Sequence, residues 1–307
     1  MVDVVCVASW NADLVSRVER PIARGETVLA RSFAISPGGK GSNAAVACAR
    51  QGAQTAVLAR IGRDDFGRMA LALWAREGVD HRHVEQAEGE PSGVAQILVF
   101  DDGDNSIAVA PGAGAGLSEA HVEAARATLG ASRVVMASNE VPMAATLAAF
   151  RIARAAGATT LLNPAPAQTL PAELLALVDV ITPNETELCR VAGLADEASL
   201  DDAAQVLLRS GVGAVLVTLG ASGCRLWQPG QPVQSISGWR MPQMVDTIGA
   251  GDTFTGALAA ALARGATLAT AMRRANAAAA LSVTGRGAID AMPSAAQVDA
   301  LLESAQR

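Results

Sequence analysis

The second half of the chain repeats one pattern. Stretches with helical periodicity at 118–129, 142–156, 171–176 and 199–210 each run into a short apolar segment: Arg133 to Ala137, Thr159 to Leu162, Val178 to Thr182 and Ala214 to Leu219. Helices alternating with brief apolar runs predict βαβ units around a parallel sheet. Val4 to Ala8 and Thr55 to Ile61 are runs of the same kind, and Ala44 to Gly52 between them reads as a helix. Residues 14–37 depart from the pattern: they lack helical periodicity and alternate over Thr27 to Ile35. Gly93 to Phe100 and Ser106 to Ala110 are β-runs around the acidic turn Asp101-Asp102-Gly103-Asp104-Asn105, a hairpin signal. The expected fold class is α/β. A large domain is drawn from 1–13, 38–90 and 111–307, and 14–37 with 91–110 form a small β-element outside the main sheet.

Polar residues recur directly after the apolar runs: Asn11-Ala12-Asp13, Ser138-Asn139-Glu140, Asn163-Pro164, Pro183-Asn184-Glu185-Thr186-Glu187 and Gly220-Ala221-Ser222-Gly223. In open α/β sheets ligands bind outside the carboxyl ends of the strands, so this recurrence says more than any single motif. Asn11 and Asp13 pair an amide donor with a pure acceptor, which suits sugar hydroxyls or an ordinary polar turn. Asn184, Glu185 and Glu187 suit a helix start, with Asn as N-cap, and equally a hydrated magnesium ion shared with phosphates.

Two glycine-rich loops each open a helix. Pro37-Gly38-Gly39-Lys40-Gly41-Ser42-Asn43 is not a Walker A loop, which needs G-x-x-x-x-G-K-[ST]. Lys40 and Asn43 in it face a polyhydroxylated or phosphorylated ligand, or the loop is a tight turn with a solvated lysine. Val245-Asp246-Thr247-Ile248-Gly249-Ala250-Gly251-Asp252 runs into an alanine-rich helix. Its open N–H groups and positive dipole end suit an anion. Asp252 then either caps the helix or is a base held beside a phosphate.

Composition narrows the function classes. The 307 residues are 50% apolar and 3% aromatic, with no Tyr, so the core rests on Ala, Val, Leu and Ile. A net charge of -6 argues against a nucleic-acid surface. Cys6, Cys48, Cys189 and Cys224 are scattered without metal or redox spacing and suit a reducing compartment. The N-terminus lacks a basic leader, and no apolar run reaches the ~18–20 residues of a membrane span; the expectation is a cytoplasmic protein. Asp65-Phe66-Gly67 has no protein-kinase catalytic loop to accompany it, and Asp64 and Asp65 read as helix-start residues. His81 and His83 lack an evident third metal ligand.

Taken together, the motifs at Asn11–Asp13, Gly38–Asn43, Asn163–Pro166, Pro183–Glu187, Thr218–Gly223 and Asp246–Gly256 resemble, in order and over nearly the full length, those of the PfkB family of carbohydrate kinases. The resemblance implies a Rossmann-like α/β domain, a mainly parallel central sheet flanked by helices, and a small β-sheet lid that often clasps a homodimer. It implies ATP-dependent phosphorylation of a small-molecule sugar, with D-ribose at O5 as the leading substrate. Another sugar or nucleoside of the family (fructose, 2-keto-3-deoxygluconate, adenosine) is the alternative, and a non-catalytic sugar-binding protein is the reading from a different class. Asp252 would be the base, and Gly249, Ala250 and Gly251 the anion hole. Asn11, Asp13, Gly39, Lys40, Asn43 and Glu140 match sugar-contacting positions. Asn184, Thr218, Gly220, Ser222, Gly223, Gly251 and Asn276 match nucleotide positions. Glu187 matches the acid that orders Mg2+ through water. Asp246, Ile248, Ser282, Gly287 and Ala291 match a monovalent-cation site for K+, with Ala291 standing where a serine is common. Ser9-Trp10 departs from the usual small pair, and a bulky indole beside Asn11 is expected to bear on which sugar fits.

Overall fold

The computed structural model describes residues 2–102 and 104–304. Among the described residues, thirteen strands form two sheets. The large one contains β1 (Val4–Val7), β4 (Thr55–Gly62), β5 (Asp80–Ala87), β8 (Val134–Ser138), β9 (Thr159–Asn163), β10 (Val180–Ile181), β11 (Ala214–Thr218), β12 (Cys224–Trp227) and β13 (Gln234–Ile236). Their order is β13-β12-β11-β10-β9-β8-β1-β4-β5. All pairings from β5 across to β11 are parallel, and β12 and β13 add an antiparallel edge. The small sheet is β2 (Asn11–Arg17), β3 (Ser32–Gly38), β6 (Val94–Val99) and β7 (Asn105–Ala110), in the order β3-β2-β6-β7.

The sheet is buried on both faces. Along β1, Val4 and Cys6 join one apolar cluster while Val5 and Val7 join the other. Strand alternation sends successive side chains to opposite layers, so a central parallel strand must be apolar throughout. One layer holds the helices Lys40–Arg50, Ala250–Ala263 and Leu268–Ser282; the other includes Met143–Ala155 and Leu200–Arg209. A Cβ added at Gly256 would lie 2.3 Å from the Ala44 carbonyl oxygen and 2.7 Å from Ala47 Cβ. The Ala250 and Lys40 helices therefore touch almost backbone to backbone, which is why this core is built from alanine rather than aromatic rings.

Several expectations shift. Asn11 to Asp13 do not form a turn of the large domain: they open β2, where Asn11 pairs with Gly38 and Asp13 with Ser36. The expected helix 118–129 divides into Glu119–Ala124 and Arg126–Ala131. Strand Val178 to Thr182 shrinks to Val180–Ile181. Alternation over Thr27 to Ile35 gives pairing only from Ser32 onward. The hairpin is formed by β6 and β7, with Val99 opposite Asn105; its turn residue Gly103 lies outside the described residues.

After β1 the large sheet grows first to one side, through β4 and β5, and later to the other, from β8 to β11. The crevice at the carboxyl ends of β1 and β8 is thus the place where the strand order reverses, and ligands gather at such points. Among the described residues no helix is long and apolar enough to cross a membrane.

Candidate active site

Three segments meet at that crevice. The Gly38–Asn43 loop lies against the end of β1: a Cβ on Gly39, whose φ is +89°, would sit 2.8 Å from the Ser9 carbonyl oxygen, and one on Gly41 2.6 Å from Ala8 Cα. Only glycine allows this approach. Ser9 Oγ donates to Glu140 Oε2 at 2.7 Å and accepts the Gly41 N–H at 3.1 Å. The Lys40 N–H reaches the same Glu140 oxygen at 2.9 Å. Asn43 Nδ2 donates to Asp252 Oδ2 at 2.9 Å. Asp13 faces the same space from β2, pressed so close to Gly38 that a Cβ there would collide with its carboxylate.

Four carboxylates, Asp252, Glu140, Glu187 and Asp13, thus act on one cation, Lys40. Burial, then Glu140 and Asp252, push the Asp13 carboxyl up from 3.8 to about 7, against the pull of Lys40. Burial also raises Asp252, which is only 6% exposed, and outweighs the opposing effects of Lys40 and Asn43. Lys40 is raised, chiefly by Asp252, and stays charged. A carboxylate with raised proton affinity beside a fixed ammonium is suited to take a proton and have the new charge pattern tolerated.

The Trp10 indole is 3% exposed and packs edge-on against Trp74, ring centroids 5.7 Å apart at 72°. It belongs to the core layer that also holds Ala44 and Ala47.

Asp252 sits in the first turn of the Ala250–Ala263 helix, whose N-cap, Gly249, is left-handed at φ 76°. The Ala250 N–H is engaged with the Thr247 carbonyl at 3.2 Å, whereas those of Gly251 and Asp252 find no acceptor among the described residues. A Cβ on Gly251 would meet nothing within 4 Å. The helix start is therefore open toward the crevice with its Gly251 and Asp252 donors unspent.

On the other side of Gly251 lies a cavity of about 750 Å³, bordered by Thr218, Gly220, Ser222, Gly223 and Asn276. Asn276 Nδ2 donates to the Ser237 carbonyl at 3.0 Å and ties the Leu268–Ser282 helix to the cavity wall. Trp239, Met241 and Met244 complete the apolar lining. Sequence reading missed these three, which fall in a stretch without periodicity. Asn184 N-caps the helix Glu185–Val191 by accepting the Glu187 N–H at 2.8 Å, and Glu187 Oε2 accepts the Asn184 N–H at 3.0 Å. A smaller cavity of about 420 Å³, bordered by Gln54, Asp80, Arg82 and Thr128, lies at the opposite ends of the strands, away from every polar rim.

Just before the Ala250–Ala263 helix, Asp246 accepts the Ile248 N–H with Oδ1 and the Gly287 N–H with Oδ2, both at 3.0 Å. Ser282 turns its hydroxyl back to the Ala279 carbonyl at 2.8 Å, and Ala291 lies against Gly285. These residues hold two loops together, with their side-chain oxygens engaged. His81 contacts the Val79 carbonyl and His83 the Thr128 hydroxyl; among the described residues no group of three or more His, Cys, Asp or Glu is placed to hold a metal.

The pfkB family carbohydrate kinase model matches residues 1–295. A ribokinase of Haemophilus influenzae is 40% identical over 301 residues, covering 97% of this chain and 98% of that protein. One from Mus musculus is 35% identical over 295 residues, covering 94% and 91%. The structure of Arabidopsis thaliana ribokinase complexed with ribose and ATP superposes with a TM-score of 0.91 at 33% identity, covering 99% of each chain. That of Thermotoga maritima ribokinase gives 0.89 at 31% identity, covering 99% of this chain and all of the other. The chain belongs to the PfkB family of carbohydrate kinases, phosphotransferases that act on a sugar hydroxyl.

Proposed function

We propose that the protein transfers the γ-phosphoryl group of ATP to O5 of D-ribose, giving D-ribose 5-phosphate. The observation that carries this is the position of Asp252: buried, bonded to Asn43, and set in a helix turn whose Gly251 and Asp252 N–H groups open between a polar pocket and a large apolar cavity. The polar pocket, with Asn11, Asp13, Gly39, Lys40, Asn43 and Glu140 around it, suits an uncharged polyhydroxylated sugar. The relatives named ribokinase, and the one solved with ribose and ATP, support the choice of sugar and nucleotide.

In this reading Asp252 takes the proton of the sugar hydroxyl as its oxygen attacks, which requires only hydrogen-bond reach. The N–H groups of Gly251 and Asp252, with Gly249 and Ala250 setting the turn, hold charge on the phosphoryl group in flight. Positioning and electrostatics supply most of the catalysis in such transfers. ATP fits the 750 Å³ cavity with its phosphates toward Gly251. Glu187 keeps one carboxylate oxygen outside its capping bond, which suits Mg2+ held mainly by water and phosphate. K+ would be held by main-chain carbonyls of the Asp246–Ile248 and Gly287–Ala291 loops, with the lone pairs left on the Asp246 carboxylate and on the Ser282 hydroxyl, which gives only its proton to Ala279.

The small sheet, residues 14–37 and 91–110 in outline, acts as a lid and as a homodimer contact; Phe33, Ile35, Ile107 and Val109 on it are all about half exposed or more. The four cysteines are unpaired and buried, as suits the cytoplasm. A coupled assay with ribose, deoxyribose, fructose, 2-keto-3-deoxygluconate and adenosine tests the substrate. Ribose should give the highest kcat/KM, and another sugar far ahead of it would overturn the assignment.

A further inference from the structure

The helix that carries Asp252 has two threonines whose hydroxyls turn back onto its first carbonyls. Thr253 Oγ1 donates to the Gly249 carbonyl at 2.9 Å, and Thr255 Oγ1 to the Gly251 carbonyl at 3.0 Å. The second is tied further. Thr182 Oγ1, at the end of β10, lies 3.2 Å from Thr255 Oγ1 and 3.4 Å from the Leu162 carbonyl. Each hydroxyl has one proton to give. Thr255 spends its proton on Gly251, so the one Thr182 proton is divided between Thr255 Oγ1 and the Leu162 carbonyl. Both threonines are buried, 5% and 2% exposed.

The Gly251 carbonyl and the Asp252 N–H belong to one planar peptide unit. Gripping the oxygen fixes the direction of that N–H, which is open to the crevice. Donation in series, Thr182 to Thr255 to the carbonyl, also polarises the peptide and strengthens its N–H as a donor. The helix's own bond from the Thr255 N–H reaches the same carbonyl, so the hydroxyl adds a second grip to one already in place.

We propose that Thr255, backed by Thr182, is a positioning residue that fixes the Asp252 peptide as an anion-site donor and links it to the β10 rim carrying Asn184 and Glu187. This rests on the phosphotransfer reading above. The pair touches neither sugar nor nucleotide, so its effect falls on the transition state, where the donor must be aimed.

The test is the full-length enzyme with T255V, T255S and the double variant T182V/T255V. T255V is expected to lower kcat about tenfold, less than the roughly 100- to 1,000-fold of deleting an oxyanion donor, with both KM values within about twofold of the parent. T255S keeps the hydroxyl and restores kcat. Amide exchange over the segment from Gly249 to Phe254 rises in T255V and not in T255S. Should T255V fold poorly with Thr182 left only its long contact to the Leu162 carbonyl, the double variant removes both hydroxyls and must show the same kcat loss. An unchanged kcat in the valine variants, or T255S as slow as T255V, overturns the proposal. A parent enzyme that phosphorylates no sugar would instead overturn the functional reading; amide exchange then still tests whether the hydroxyl pair holds the helix start.

Discussion

Gly251 shows how much rests on single residues here. A methyl group there would meet no protein atom within 4 Å, so the protein's own packing does not demand glycine. Alanine in place of helical glycine gains up to about 1 kcal/mol of stability. G251A should therefore raise the melting temperature slightly yet lose most kinase activity, because the methyl occupies the space a phosphate needs; full activity in a stabilised G251A would show that space is not used. Asp13 gives a second prediction at this scale. Its carboxyl is raised from 3.8 to about 7, so the folded chain holds a proton that the unfolded chain releases between those values. Stability must then fall as pH rises through that window. D13N removes this slope: it should melt higher than the parent at pH 8, with the gain shrinking toward pH 4, while its sugar KM rises. A pH-independent difference in melting temperature would count against the charge cluster. Part of this site was legible, because Asn11, Asp13, Asn43, Glu140 and Asp252 stand beside strand ends or in glycine loops. The Ser9–Glu140 bond spans 131 positions and has no local signature, and nothing in sequence order sets the Trp10 indole against Trp74.

At the scale of elements, the Ala250–Ala263 helix does two jobs with two glycines. Gly251 faces open space, while Gly256 lies on the Lys40–Arg50 helix, where a Cβ would be 2.3 Å from the Ala44 carbonyl oxygen. G256A should therefore destabilise, because forcing volume into a packed contact costs roughly 1–3 kcal/mol and outweighs the gain in helix propensity. Opposite signs for G251A and G256A in thermal melting would support this division, and equal signs would refute it. The same close packing brings Asn43 within 2.9 Å of Asp252. Helices and buried parallel strands were readable because their apolar positions are periodic. β5 was not, since Asp80, Arg82, Glu85 and Gln86 leave little apolar pattern on a strand covered only in part. β12 and β13 were missed because they are short and form the sheet's antiparallel edge.

Across the whole molecule, the two sheets meet where β1 gives way to β2, with only Ala8, Ser9 and Trp10 between them. That shortness explains why Asn11 and Asp13 belong at once to the small sheet and to the site, which strand counting could not show. Ile35 lies opposite Leu14 and Ile107 opposite Ile97, so the two exposed isoleucines occupy opposite faces of the small sheet. If the sheet clasps a second copy, either I35D or I107D should convert a dimer to a monomer in sedimentation, while both variants keep the parent's unfolding midpoint for the large domain. A monomeric parent, or a dimer that survives both substitutions, would remove the clasp.

The central claim is that Asp252 takes the proton from the sugar, and D252N tests it most directly. Asparagine keeps the size and the contact with Asn43 but cannot serve as the base. Calorimetric titration and a coupled assay on the same preparation should show ribose still bound and kcat lowered by about 100-fold or more, in the range of a lost general base. Turnover within a few fold of the parent, with ribose bound as before, would contradict the account.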